Sequence, residues 1–274
     1  MQRTLHDNLY FMINTKHINN LALLVADNIH TPHGFTTRLG GVSQPPFDSL
    51  NLGLHRGDDP KNVAENHGIL ANAVGYDPEK LVMSHQTHSD LVRVVTSADA
   101  KGIDHRAYPE CDGLVTNEPG VALWIFTADC TPVLLHDPVT GAVGAVHAGW
   151  RGTAAAIAQK AVEKMGEAFG CDPKNIRAAI GPNIGPCCFE TDADVPQAMR
   201  QGFGSAAESW IRQVGQKYYV NLKELNALAL RRAGVESIAI SDACTVCQSH
   251  RFWSHRVTGG IRGSQGAVIV CKEV

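Results

Sequence analysis

Between Leu91 and His147 the chain carries apolar runs of strand length: LVRVVT from Leu91, VALWIFTA from Val121, PVLLH from Pro132 and AVGAVH from Ala142. Several do not alternate with polar residues. A strand with one wet face alternates, whereas a strand apolar on both sides needs cover on both faces. These runs therefore call for packed layers above and below the strands, and they predict an α/β or α+β layered domain. IRAAIG from Ile176 and AVIVC from Ala267 extend the set. Helical periodicity is clearest in TAAAIAQKAVEKMGEAFG, where Thr153 is expected to cap the start and Gly170 the end. Two more helices are expected, from about Asn62 to Tyr76 and from Val220 to Val235.

The 274 residues are 44% hydrophobic and 19% charged, enough to bury most of the unfolded surface. No internal repeat, low-complexity tract or linker divides them, so one domain over residues 1–274 is expected. The net charge of -3 comes from 24 basic and 27 acidic residues without long runs, which argues against nucleic acid or an anionic bilayer as partner. The N-terminal stretch MQRTLHDNLYFMINTKH lacks the apolar core of a signal peptide, and no later run reaches membrane-spanning length. A cytoplasmic location is expected. The eight cysteines then read as reduced thiols. They include the adjacent pair Cys187 and Cys188, for which packing is the expected role, and the C-x-x-C of Cys244 and Cys247. That motif needs a second ligand pair to hold a metal, and only His250 and His255 follow nearby.

Three segments place polar residues beside apolar runs: HQTHSD (His85–Asp90), FTADCTP (Phe126–Pro132) and GAVHAGWRGT (Gly144–Thr153). A histidine, Cys130 and His147 from three separate strand ends supply three ligands and leave one tetrahedral position open, as catalytic zinc requires. Spacing alone leaves another reading open, with Cys130 a small buried residue and His147 a hydrogen-bonded core histidine. It also leaves His85 and His88 unresolved, since in an extended segment they face opposite ways. Asp129 is read either as a carboxylate orienting a ligand imidazole or as a turn cap. In HAGWRGT the two glycines permit a tight backbone before the helix, and Arg151 adds a bidentate donor to its N-terminus. GFTTRLGGV sets Arg38 beside a Gly-Gly turn in a similar way. For both arginines a surface salt bridge is the competing reading.

Taken in order, HGFTTRLGGVS from His33, SLNLG, HQTHSD, DGLVT from Asp112, TADCTPVLLHD, AVHAGWRG, IGPNIGPCCFE and CTVC followed by FWSHR resemble the YfiH-type laccase-domain family, whose members are also called purine nucleoside phosphorylases or polyphenol oxidases. The resemblance implies a four-layer α/β/β/α sandwich with mixed sheets, similar to the catalytic domain of cytotoxic necrotizing factor. It implies a zinc enzyme that phosphorolyses adenosine, inosine, guanosine and methylthioadenosine and hydrolytically deaminates adenosine. Carried over by motif, the Zn²⁺ ligands and catalytic residues fall on His88, Cys130 and His147, and the phosphate-binding arginines on Arg38 and Arg151. His255 stands where the family's F-x-S-Y-R pattern has a Tyr.

No His-x-His pair occurs in the chain, so the copper-oxidase reading lacks its expected ligands, although a His₂Cys site binds Cu²⁺ tightly in vitro. Purine nucleosides and phosphate are the expected partners. The competing reading is a cysteine hydrolase or amidase, fitting a link of the family to peptidoglycan precursor editing and needing only a metal-free Cys/His constellation.

Overall fold

The unbroken apolar runs become buried strands whose alternation sorts side chains between two cores rather than between core and water. The computed structural model describes residues 11–272, so the first ten residues of the stretch MQRTLHDNLYFMINTKH lie outside them. The first part of the chain forms β1 (Ile13–Ile18), β2 (Leu21–Ala26), β3 (His33–Thr36), α1 (Pro60–Val74), β4 (Leu81–Val82), β5 (Val92–Val94), β6 (Gly113–Thr116), β7 (Ala122–Thr127), β8 (Thr131–His136) and β9 (Val143–Ala148). There follow α2 (Trp150–Ala154), α3 (Ile157–Phe169), β10 (Arg177–Ile180), β11 (Glu190–Thr191), α4 (Asp194–Phe203), β12 (Ile211–Val214), β13 (Lys217–Val220), α5 (Leu222–Arg232), β14 (Ser237–Ile240), α6 (His255–Thr258) and β15 (Gln265–Val270). Among the described residues, no helix is long and apolar enough to cross a membrane.

Two six-stranded sheets run β1-β2-β3-β15-β7-β4 and β14-β10-β8-β9-β6-β5, with a three-stranded sheet β11-β13-β12 beside them. Both large sheets are mixed: β4 joins β7 in parallel while β15 is antiparallel to β7, and β5 joins β6 in parallel while β6 is antiparallel to β9. In the second sheet Leu114, Leu134, Val143, Ala145 and Ala179 pack with the first sheet. Their neighbours Val115, Val133, Leu135, Val146 and Ala178 pack with α3 and α5 on the other side. On the first sheet Trp124 meets His67 of α1 edge to face, ring centroids 5.8 Å apart. The layers are therefore α1, sheet, sheet, and α3 with α5, the expected α/β/β/α order.

The sequence expectations hold for α1, which Asp59 caps and Gly75 ends in the left-handed region, and for α5, which Asn221 caps. They fail at Thr153. The helix starts at Trp150 with Gly149 as an uncapped N-terminus, and Ala156 at φ 55° breaks it from α3. Thr153 lies buried inside α2, and its Oγ1 accepts from Asn226 Nδ2 at 2.9 Å instead of capping. LVRVVT gives a shorter strand than expected, β5 covering only Val92–Val94 at the edge of the second sheet.

Gly266, inside β15, marks the tightest approach within the first sheet. A Cβ there would fall 2.0 Å from the Ile125 carbonyl oxygen and 2.6 Å from the Trp124 ring. Gly266→Ala is expected to cost about 1–3 kcal/mol through overpacking, read as a lower urea midpoint with an unchanged slope. An unchanged midpoint would show that the sheet yields there.

Candidate active site

Strand parity places two of the site's side chains on one face before any contact is considered. His147 shares the parity of Val143 and Ala145, which face the space between the sheets, and it stands directly across from Pro132. Cys130, two residues before Pro132, has the same parity. Asp129 lies outside that alternation because its φ of 86° turns the chain just before β8.

His88 arrives from the other sheet's edge. β4 pairs with β7 only as far as Leu123, and beyond that the side chain of Gln86 replaces a strand. The Phe126 N–H donates to Gln86 Oε1 at 2.7 Å, and Gln86 Nε2 donates to the Phe126 carbonyl at 2.8 Å. The next turn wraps around a buried carboxylate. Asp112 accepts from the N–H groups of Thr87 (3.2 Å), His88 (3.1 Å) and Ser89 (2.7 Å) and from Ser89 Oγ (2.7 Å). His88 adopts φ 61°, so successive N–H groups form a concave anion nest. Gly149 leaves room for its ring, since a Cβ there would lie 2.7 Å from His88 Cδ2.

The same carboxylate accepts from His147 Nδ1 at 2.7 Å. That bond keeps the ring proton on Nδ1, directed at Asp112, and leaves the Nε2 lone pair to face the other two side chains. His88 Nε2 is 3.8 Å from Cys130 Sγ, and the His88 and His147 rings stand edge to face with centroids 5.0 Å apart. The three donor atoms lie within 4.8 Å of one another. This set of one thiolate and two imidazoles, with one imidazole oriented by a carboxylate, fits a tetrahedral ion with its fourth position open. Burial pushes the Cys130 thiol up, but His147 and His88 outweigh it and hold it at about 6. Burial also opposes charge on His147, yet Cys130 and Asp112 raise it to about 9. Asp112 is likewise penalised by burial, and its bonds from His147 and Ser89 still hold it at about 2.

The trio forms part of the lining of a cavity of about 440 Å³. Phe126, Trp150, Ile184, Phe189 and Leu222 give it apolar walls, and Arg56, Arg256 and Arg262 give it positive charge. Arg262 is only 8% exposed. Its Nη1 donates to the Gly263 carbonyl at 2.8 Å, while its buried Nε has no partner. Burial, with Arg56 nearby, lowers it to about 10.

The other residues singled out in the sequence divide between those that line this cavity and those that do not. Arg38 does not line the cavity: its Nε donates to the Asp48 carbonyl at 2.9 Å, Nη2 pairs with the Asp48 carboxylate at 3.2 Å, and the guanidinium stacks on Trp253 at 3.9 Å. Arg151 is exposed and stacks on Trp150 at 4.2 Å, outside the lining. The helix behind it has five residues and offers little macrodipole. Asp129 orients no imidazole. It accepts from Thr245 Oγ1 (2.6 Å), Ser254 Oγ (3.1 Å) and the Arg256 N–H (2.7 Å), tying two loops to the start of β8. His85 stays outside the trio and bridges to Glu110 in strand fashion. His255 does line the cavity. The residues that sequence reading missed are Asp112, Arg56 and Arg262. Only Asp112 carried a local signal, as an acid directly before an apolar strand.

Comparison with known proteins covers the same ground. The family model described as multi-copper polyphenol oxidoreductase laccase matches residues 32–272. The chain is 40% identical to the purine nucleoside phosphorylase YlmD of Bacillus subtilis over 88% of both chains. It is 38% identical to the purine nucleoside phosphorylase YfiH of Escherichia coli over 81% of this chain and 86% of that one. The crystal structure of YlmD from Geobacillus stearothermophilus superposes with a TM-score of 0.89 at 36% identity, covering 96% of this chain and 100% of that one.

The low Cys130 pKa has a direct readout. In metal-free protein, alkylation of Cys130 followed by peptide mass spectrometry is expected to be half-maximal near pH 6, where the thiolate form takes over. An ordinary thiol titrates near 8.5. A Cys130 midpoint above 8 would show that the imidazoles do not stabilise the thiolate.

Proposed function

This chain belongs to the YfiH-type laccase-domain family, and on that premise we propose that it is a zinc-dependent purine nucleoside phosphorylase that also deaminates adenosine. The observation that carries the reading is the convergence of His88, Cys130 and His147 in a cavity with aromatic walls and arginine charge. Its volume lies within the range of about 300–1,000 Å³ typical of small-molecule sites. Phe126, Trp150 and Phe189 offer faces against which a purine ring stacks. The expected substrates are adenosine, inosine, guanosine and methylthioadenosine.

His88, Cys130 and His147 would hold the ion, which would supply Lewis acidity and lower the pKa of a coordinated water to roughly 7. Cys130 serves as a ligand without an added base, because its neighbours already favour the thiolate. Asp112 fixes the His147 ring by accepting from Nδ1. In phosphorolysis the bond from C1′ to the purine breaks and one to a phosphate oxygen forms, with positive charge developing on the ribose. Arg56 and Arg262 are the donors suited to hold that phosphate, since both line the cavity and Arg262 Nε is otherwise unpartnered. The cavity also holds His105, which burial and His55 keep at about 4, so it lines the site as a neutral imidazole at pH 7.

The Cys130 pKa also favours a second reading, a metal-free cysteine hydrolase in which His147 and Asp112 complete the constellation. The two readings part on metal and phosphate. Incubation with adenosine is expected to give adenine only when phosphate is present and inosine without it. Cys130→Ala is expected to lose the zinc held by His88 and His147 together with nucleoside turnover. Arg262→Ala is expected to raise the KM for phosphate at least about tenfold, with Arg151→Ala near wild type. A metal-free preparation that stays active and is silenced by thiol alkylation would replace this reading with the hydrolase.

A further inference from the structure

Four cysteines from two distant loops meet beside the cavity wall. Cys187 and Cys188 follow β10, and Cys244 and Cys247 follow β14. In sequence only histidines stand near the C-x-x-C, but the fold brings Cys187 and Cys188 beside it. The missing half of the motif is Cys187 and Cys188, about sixty residues away in sequence. Cys187 Sγ lies 3.6 Å and Cys188 Sγ 3.4 Å from Cys247 Sγ, and all four sulfurs lie within 4.8 Å of one another. A disulfide joins sulfurs at about 2.05 Å. A tetrahedron built on Zn–S bonds of about 2.3 Å has sulfurs about 3.8 Å apart. The observed separations match the second geometry.

The backbone is arranged for the same purpose. The Gly185 N–H donates to Cys244 Sγ at 3.2 Å, and the N–H groups of Val246 and Cys247 also address that sulfur. Such N–H···S bonds stabilise a ligating thiolate and shape the C-x-x-C turn so that both sulfurs point the same way. Gly185 is needed for the approach, because a Cβ there would lie 3.2 Å from both Cys187 Sγ and Cys244 Cβ. Lys223, buried and donating to the Ser241 and Ala243 carbonyls at 2.7 Å each, sets a cation next to the loop that carries Cys244. A divalent ion with four thiolates carries a net double negative charge, which such a cation offsets.

We infer that Cys187, Cys188, Cys244 and Cys247 form a second, structural metal site that takes Zn²⁺ as a closed tetrathiolate. Four protein sulfurs leave no open position for substrate, so the site's work is mechanical. The loop of Cys187 carries Ile184 and Phe189, two walls of the cavity. The loop of Cys244 carries Thr245, which donates to Asp129, and leads to Arg256, whose side chain donates to the Cys188 and Glu190 carbonyls at 3.1 Å each. Joining the loops through one ion holds the cavity wall to the turn that presents Cys130. Each thiol that binds gives up its proton, so the site loads more fully as pH rises.

The test uses the full-length protein, purified under reducing conditions without chelator, with metal measured per chain. Cys130→Ala removes the thiol of the other site and is expected to retain one equivalent of zinc. After exchange with Co²⁺ it is expected to show the intense thiolate-to-cobalt charge-transfer absorption of a tetrathiolate centre. Cys244→Ser/Cys247→Ser is expected to bind one equivalent less than wild type and to melt at a lower temperature. Should that double variant not fold, the cobalt spectrum of Cys130→Ala decides. Cys130→Ala protein without zinc and without thiolate–cobalt absorption would overturn the inference. So would an intact mass showing that the four cysteines are joined as disulfides in the native protein.

Discussion

The site depends on one buried carboxylate. Asp112 is fully buried, and a charge in such a place costs several kcal/mol unless donors meet its oxygens. Donors from two directions meet it: the Thr87–Ser89 turn and the His147 ring. The turn can close on the carboxylate only with His88 in the left-handed region, and that conformation sends the His88 ring toward Cys130. One residue at the start of β6 therefore fixes two of the three donors. The strain at His88 is balanced locally by the nest of hydrogen bonds that the strained conformation creates.

The cavity lies where the layered packing stops. Along most of β8 and β9 every residue finds a core on one side or the other, so there is no room for ligand. At Cys130 and His147 the inter-sheet face runs past the last packed pair and opens. The small sheet and α4 belong to a third apolar group with Ile184, Phe189 and Leu222, which closes the far wall. Arg262, from the loop before β15, brings a buried guanidinium to the same space. Chemistry thus sits on strand ends and loops while the strands supply rigidity, the division of labour expected when precise geometry must be held on a stiff frame.

Much of this frame was legible in the chain. VALWIFTA, PVLLH, AVGAVH, IRAAIG and AVIVC each became the core of a strand, because their apolar character on both faces leaves few other places to go. α1 was legible from its apolar periodicity, although its start at Pro60, capped by Asp59, precedes the expected Asn62. The break at Ala156 was not, since alanine is a strong helix former and the left-handed turn there is imposed by tertiary packing. β2, LALLVA, has the same apolar character as the other strand runs, and α4 has apolar residues at Val195, Met199 and Phe203; neither is among the expected elements. The HAGWRG glycines were legible as special, but for a different reason: Gly149 has an ordinary extended backbone and serves as clearance for His88.

The sequence by itself determined which strands had to be covered on both faces and, with the motif resemblance, which histidine, cysteine and histidine to group. Those properties reside in local alternation and in short stretches of chain. Only the tertiary structure decided that Asp112 orients the site, that Arg56 and Arg262 reach the cavity while Arg38 and Arg151 do not, and that CTVC finds its partners in Cys187 and Cys188. These are contacts between side chains separated by tens to hundreds of residues. A guanidinium is free for ligand or spent on a neighbour according to what the fold packs beside it, and no local pattern records that neighbour.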